Sequence, residues 1–578
     1  MYKNYPSFFF TQKEKSDIIR ILKRKYPSVL KSSIRIADQV CDRIYNYFQI
    51  EVKFKKNINW RLIPKGEIEW LCALNRHTEW PHLAKAYLYT KDKKYLYELI
   101  FLINSWIDSN PYPVKLDVSP ADGRYPWELL NTANRARNWV WVYFLLLDEP
   151  LFSNGLKEKM RKSLEEHAEF LFKYYKFGPQ NNWLAMEMEA LLYISLMFPN
   201  FKDSKKWRKE AMNILLKNFY NNVYPDGVQF EMSLSYHTGC LRWYGEPFIL
   251  GLKNNLKFPK DFIERYKKMF HFILDTMMPD GTVPAFGDTD FVMMPKKELS
   301  LGVLLFNDPF LKTQSEFDPD LLWLFGKDAF RRYSAVKPKF KNVFDYSYKK
   351  GGYYISRSDY SNKANYLIFD CGPLGGGHGH VDLLSFCFAL KGEPFIIDPG
   401  RFTYMRNKWR KLFKGTSAHN TVAVDNYDQV EYISSWQYGK PPRYKFVSFK
   451  NIKDTVILKG KHYGYMRLKD PVIHTREIIF NKKSFLLIID SFKAKKYHIY
   501  KEYFHFVPSK IVKKGGSLYI TFNDEIVKMI NLTEDKIFIK NGWISPSYNI
   551  KFKPPVVCVK NKINGNGFMI NLFVWDNK

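Results

Sequence analysis

The chain is poor in cysteine, in long apolar runs and in acidic residues relative to basic ones, and each shortage excludes a class of protein. Its six cysteines (Cys41, Cys72, Cys240, Cys371, Cys387, Cys558) are scattered with no Cys-x-x-Cys pair. Neither a disulfide framework nor a thiolate zinc centre is therefore expected, and the thiols read as reduced and mostly buried. The apolar run near the start, Phe8-Phe9-Phe10, is far too short for a signal-peptide core or a membrane span. With no targeting segment visible, the expectation is a cytoplasmic protein, or a periplasmic or secreted one if an export segment has been trimmed away. Asp plus Glu number 58 against 90 Lys plus Arg, a formal charge of +32. Such a surplus attracts polyanions. On charge alone nucleic acid, anionic polysaccharide and acidic membrane are all admissible partners, and so is the plain alternative of lysines spread over solvated faces. No recognised nucleic-acid module accompanies the charge, so nucleic acid is not expected.

What is present is a globular composition, 46% hydrophobic over 578 residues, long enough for two or more domains. Aromatic residues make up 17%; they suit stacking on sugar rings, although most must fill cores. From about residue 13 to 330 the apolar spacing is helical, as at 18–22, 95–103 and 139–147. Breaks fall at Asn110-Pro111, Ser119-Pro120, Pro199-Asn200, Pro225-Asp226-Gly227 and Pro279-Asp280-Gly281. After about residue 340 the texture changes to short alternating runs, predicting strands at 353–356, 366–370, 395–398, 421–424, 485–490 and 569–574 in packed antiparallel sheets. The expected organisation is an α+β chain of two domains, 1–338 helical and 339–578 sheet-built, with a ligand cleft where they meet.

Chemistry concentrates in three places. In Gly375-Gly376-Gly377-His378-Gly379-His380-Val381-Asp382 the two histidines, two apart, would face one way in an extended segment. Asp398 and His419 could converge on one of them, and two imidazoles with a carboxylate leave a fourth position for water, a recognised zinc arrangement. The competing reading is that His380 and His419 are satisfied core histidines. Tyr236, followed by His237 at the mouth of a helix, can exchange a proton if cations lower its pKa, or is one more structural aromatic. In Gln180-Asn181-Asn182-Trp183, before a helix at 184–196, either asparagine could cap the helix or hydrogen-bond a substrate carboxylate. Asn75-Arg76-His77 with Trp80, and Trp127, Asn131 and Arg135 at four-residue spacing, form polar and aromatic faces that suit either a sugar or helix packing.

Taken in order, Glu69 and Asn75-Arg76-His77, the Asn181-Asn182 helix, Asp226-Gly227 to His237, Pro279-Asp280-Gly281 with Phe286-Gly287-Asp288, and the block from Gly377 to Asn420 resemble the heparinase II/III superfamily of polysaccharide lyases, the heparin-sulfate lyase branch in particular. The resemblance implies an N-terminal incomplete (α/α) toroid followed by an antiparallel β-sandwich, and β-elimination on a uronate-containing glycosaminoglycan. An alginate or other polyuronate lyase is the second reading, and a non-catalytic polyanion-binding or polysaccharide-assembly protein the third. Position by position it implies Asn182, Tyr236 and His378 as catalytic residues. It makes His380, Asp398 and His419 the ligands of one divalent metal, zinc by preference, in a structural role. Asn75, Arg76, His77, Trp127, Asn131, Arg135, Trp183, His237 and Tyr404 are the expected substrate-binding set. Many relatives carry histidine directly after the asparagine, where this chain has Trp183.

Overall fold

The computed structural model describes residues 6–576; the opening Met1 to Asn4 lies outside them. By its internal contacts the chain divides into two compact units that do not follow a single cut at 338/339. The first takes the chain up to Asn222, then Cys240–Glu264 and Phe317–Val336. The second takes Val223–Gly239, Arg265–Glu316 and the chain from Lys337 on. Secondary structure nonetheless changes where the composition does, between the helix Ala329–Ala335 and the strand Asp345–Tyr348. Among the described residues no helix is long and apolar enough to cross a membrane.

The first unit is built from helices buried to two different degrees. Leu129–Leu146 and Asn182–Met197 bury nearly every side chain, polar ones such as Asn131, Arg135 and Glu187 included. Asn154–Tyr174 buries one stripe, including Leu156, Met160, Leu164, Ala168 and Leu171, and Ser204–Asn222 buries Trp207, Ala211, Leu215 and Phe219. Leu129–Leu146 packs on Ile68–Arg76, Trp80–Thr90, Asn154–Tyr174 and Asn182–Met197, and the last of these packs on Ser204–Asn222. Inner helices backed by amphipathic outer ones are what an (α/α) toroid requires. One hairpin interrupts the helical region, Ile44–Tyr47 with Ile50–Lys53. Its turn residues Phe48 and Gln49 both have positive φ, the twist of a two-residue hairpin turn. Without Asn or Gly at those positions the sequence carries no turn signal.

Glu128 and Glu187 are among the carboxyl groups of this unit that resist ionisation. Burial pushes Glu128 up to about 7 and Glu187, whose carboxylate oxygens have no hydrogen-bond partner, well above the usual range. A raised folded-state pKa means the folded chain holds its proton more tightly than the unfolded chain does. Stability from Glu128 is therefore full below its ordinary value of 4.5 and is lost as pH rises towards about 7. Glu128→Gln keeps the oxygen that caps the helix by accepting from Asn131 N–H and removes the titration. The stability difference between variant and wild type, from denaturant melts at several pH values, should swing in the variant's favour by on the order of 3 kcal/mol across that interval. A difference independent of pH would refute the assignment.

The second unit holds three principal sheets. A five-stranded antiparallel sheet runs Asp345–Tyr348, Tyr353–Arg357, Tyr366–Asp370, Phe386–Leu390, Glu393–Ile396 in spatial order. An eight-stranded sheet contains Ile473–Asn481, Phe485–Lys493 and Gly567–Trp575, and a four-stranded one pairs Tyr497–His505 with both Pro555–Asn564 and Val422–Val424. The strands expected at 353–356, 366–370, 421–424, 485–490 and 569–574 are present, and that at 395–398 ends two residues sooner, at Ile396. Strands of all three sheets bury their inward residues in one core, among them Phe369, Phe388, Ile488, Phe504 and Phe573, the sandwich arrangement expected. Arg476 crosses this core fully buried. It pairs with Asp490 and Glu502 and donates to the carbonyls of Leu384 and Asn420. Asn420 in turn donates to the carbonyls of Phe386 and Ile397 and accepts from His505 N–H. The backbone on either side of His419 and Asp398 is thereby fixed.

Candidate active site

In the second unit the segments around Tyr236, Asp288, His378 and Tyr404 form one cluster. Tyr236 stands in the first turn of the helix Leu234–Lys253. The Leu234 and Ser235 N–H groups both reach Thr289 Oγ1, at 2.9 and 3.3 Å, so a hydroxyl from another segment serves as the cap. Gly287 lies where that segment passes the backbone of both neighbours. Its φ is +60°, and a Cβ there would stand 2.7 Å from Met232 O and 2.8 Å from His378 O. Only glycine fits. Asp288 N–H then donates to His378 O at 2.9 Å.

Gly377 and His378 lie in a turn and Gly379 and His380 in irregular backbone, with no strand through them, yet both histidines reach one carboxylate. Asp288 is fully buried and accepts from His378 Nδ1 at 2.8 Å, from His380 Nε2 at 3.0 Å and from both terminal nitrogens of Arg410. Burial alone would raise its pKa; the charge of Arg410 and the hydrogen bonds from His378, His380 and Arg410 outweigh this and hold it well below the carboxylate range. An ionised carboxylate can only accept, so each ring must donate the nitrogen that faces it. His378 is then protonated on Nδ1 and His380 on Nε2. Burial, only partly offset by Asp288, lowers His378 to about 4 and His380 to about 3, so both rings are neutral and their other nitrogens are bare lone pairs. One carboxylate thus leaves Nε2 open on one histidine and Nδ1 on the other.

The Tyr236 ring lies face to face on His378, centroids 3.5 Å apart and planes 19° off parallel. His378 Nε2 is 3.9 Å from Glu231 Oε1, beyond hydrogen-bonding distance. The Tyr236 hydroxyl is 2.9 Å from that of Tyr404, which receives a hydrogen bond from Arg401, itself held by Asp290 at 3.1 Å. Burial, with Tyr404 adding to it and Arg401 opposing it, pushes the Tyr236 phenol well up. At rest it keeps its proton. The arrangement presents a bare imidazole nitrogen and a protonated phenol side by side.

His380, Asp398 and His419 offer ligand atoms that lie within 4.8 Å of one another, all buried. His419 Nδ1 meets Asp398 Oδ2 at 2.7 Å, while His380 Nδ1 and His419 Nε2 are buried with no protein partner. An unpartnered buried polar atom costs about 1–3 kcal/mol, and two beside a carboxylate are what a cation would satisfy. The donor set fits a divalent metal.

The helical residues fall into two groups. Asn181, not Asn182, caps the helix Asn182–Met197, accepting from Trp183 N–H at 3.1 Å. Asn182 Oδ1 is buried and unpartnered, and Trp183 and Arg76 are partly exposed. Five of the expected substrate-binding residues instead hold the interior of the first unit. Asn75 bonds Trp60 O, Leu71 O and Trp106 Nε1. Arg135 donates to His167, to the carbonyls of Asn75 and Pro126 and to Thr132. His77 is stacked 3.8 Å from Trp80, Trp127 Nε1 donates to Asn110 O, and Asn131 accepts from Arg76. All five are at most 1% exposed; four-residue spacing marked a packing face. His237 is likewise internal, its ring nitrogens taken by Gln229 N–H and Met269 O. Tyr404 stands within the cluster, beside Tyr236 and His378. Glu231, Arg401, Arg410 and Trp436 were not singled out from the sequence, and Asp288 only as part of a motif. Its place directly after the constrained Gly287 was the available signal.

Known proteins resemble this chain over most of its length. The chain is 24% identical over 523 residues to a heparin-sulfate lyase of Pedobacter heparinus, covering 88% of this chain and 74% of that protein. It is 25% identical over 496 residues to a heparin-sulfate lyase of Bacteroides stercoris, covering 81% and 69%. The crystal structure of a heparinase III superposes with a TM-score of 0.80 at 21% identity, covering 94% of this chain and 84% of that one. The family profile described as Heparinase II/III N-terminus matches residues 9–307, and that described as Heparinase II/III-like, C-terminal matches 345–560. By these two matches in sequence order, the chain belongs to the heparinase II/III family.

Proposed function

We propose that this protein is a polysaccharide lyase that cleaves a uronate-containing glycosaminoglycan of the heparan sulfate kind by β-elimination, leaving an unsaturated uronosyl end. The observation that carries the reading is the Tyr236–His378 pair, stacked at 3.5 Å with His378 Nε2 left bare by Asp288. The C5 proton of a uronate is very weakly acidic while the adjacent carboxylate keeps its full charge, so a donor must stabilise the enolate-like state. Asn182, whose cap role Asn181 has taken, is assigned to that carboxylate. A base removes the C5 proton and an acid protonates the leaving O4. In iduronate the two lie on opposite faces, and His378 as base with Tyr236 as acid matches the resting protonation states. In glucuronate they lie on the same face and Tyr236 serves both steps; its phenol must first lose a proton, a cost that Arg401, one hydroxyl away through Tyr404, partly offsets. His380, Asp398 and His419 would hold one zinc ion, whose contribution is to fix the 378–380 segment. The +32 charge suits a polyanionic substrate.

The test is incubation with heparan sulfate, chondroitin sulfate, hyaluronan and alginate while following the ultraviolet absorbance of the unsaturated uronate. The rise should be greatest with heparan sulfate, and Asn182→Ala should lower it by roughly a hundred-fold. A rise with alginate alone would move the substrate to polyuronates, and none with any polymer would end the lyase reading.

A further inference from the structure

We infer that Trp436 is a sugar-stacking platform that binds the pyranose ring next to the uronate being cleaved; this rests on the lyase reading above. Among the described residues Trp436 is the only tryptophan close to half exposed, at 46%. It joins the strands Tyr432–Ser434 and Gln437–Tyr438 at the tip of a two-stranded hairpin. Its ring stands edge-on to His378, centroids 5.2 Å apart at 78°, and 5.0 Å from Tyr404. An exposed indole beside two reactive side chains offers an aromatic face with a polar handle, the kind of surface enriched at binding sites.

The backbone that carries the ring is also anchored from beneath. The carbonyl of Ser435, just before it, accepts from Arg410 Nε at 3.3 Å and Nη2 at 3.2 Å and from Lys414 Nζ at 3.2 Å. Both cations are fully buried. Lys414 also donates to Gly377 O at 2.6 Å, and Tyr438 on the returning strand donates to Gly379 O at 3.0 Å. The hairpin is therefore tied on both sides to the turn that carries His378, through the same Arg410 that pairs with Asp288. A ring on an anchored backbone loses less freedom on binding than one on a mobile loop.

The chemistry of the occupant follows from the surface. One face of a pyranose carries C–H groups with slight positive charge, which complement the electron-rich face of an indole. Directly after the hairpin come Lys440 and Arg443, both exposed, suited to carboxylate or sulfate groups on the same sugar. A neutral aglycone would leave them unused; an acidic hexosamine or uronate engages ring and cations together.

The experiment uses full-length protein in two arms. In the first, Trp436→Ala should raise KM for heparan sulfate roughly ten-fold with kcat within about two-fold, Trp436→Phe should recover most of the loss, and the melting temperature should not move. An unchanged KM, or a fall in kcat alone, would overturn the platform. In the second, affinity for a short heparan sulfate oligosaccharide is measured by calorimetry in a Tyr236→Phe background, with and without Trp436→Ala. This arm needs no turnover. Weaker binding on loss of the indole supports the platform even if the lyase reading fails, and equal affinities sink it whether or not that reading stands.

Discussion

Tyr236→Phe is expected to lower turnover by roughly 10²- to 10⁴-fold, the range for loss of a positioned proton donor or acceptor. The ring remains, so the stack on His378 at 3.5 Å survives. The hydroxyl that disappears leaves Tyr404 still hydrogen-bonded by Arg401, and the stability cost of the lost hydrogen bond is about 1 kcal/mol. Polymer affinity and melting temperature should therefore stay close to wild type while the rate collapses. Wild-type rates in the variant would remove Tyr236 from the chemistry. A rate that fell only in step with stability would make it a packing residue.

Asp288→Asn should affect turnover, metal binding and stability together. The carboxylate compels both imidazoles to donate to it and neutralises a fully buried arginine. An amide presents a donor on one side, so one of the two rings must turn its lone pair inward. If that ring is His378, the proton moves to Nε2 and the proposed base is lost; if it is His380, a metal held there would lose a ligand atom. Arg410 is left unpaired in either case, at a cost of about 3–5 kcal/mol. The expected result is at least a hundred-fold fall in kcat, metal affinity down by about 10- to 100-fold and a clearly lower melting temperature. Elemental analysis, melting curves and the absorbance assay measure the three separately. Full metal content together with full activity would show that Asp288 does not set the two tautomers.

The sequence displayed the secondary-structure change and the His/Asp/His group that could hold a metal because both depend on local patterns. Helical spacing gives way to alternation near residue 340, and His380, Asp398 and His419 are donor types set among glycines and short strands. It did not display which polar residues face inward. Trp127, Asn131 and Arg135 at four-residue spacing look the same whether the shared face meets a sugar or another helix, and only the partners of Arg135 decide for the helix. Nor could spacing reveal that Asp288, ninety residues before His378, supplies its tautomer, since that pairing depends on a close passage at Gly287. Trp436 had no signal at all, because exposure is a property of the folded surface.

The interleaving of the two compact units bears on how the protein can be taken apart. A fragment beginning at the visible change from helix to strand would carry His378, His380, Asp398 and His419 but would lack Tyr236, Glu231 and Asp288, which cluster with the sheets although they precede them in the chain. Such a truncation would leave Arg410 without its counter-ion and both imidazoles free to choose either tautomer. Gene dissection by secondary structure would thus yield a sandwich without a working centre, and shuffling of halves between relatives should succeed only where 223–239 and 265–316 travel with the C-terminal half.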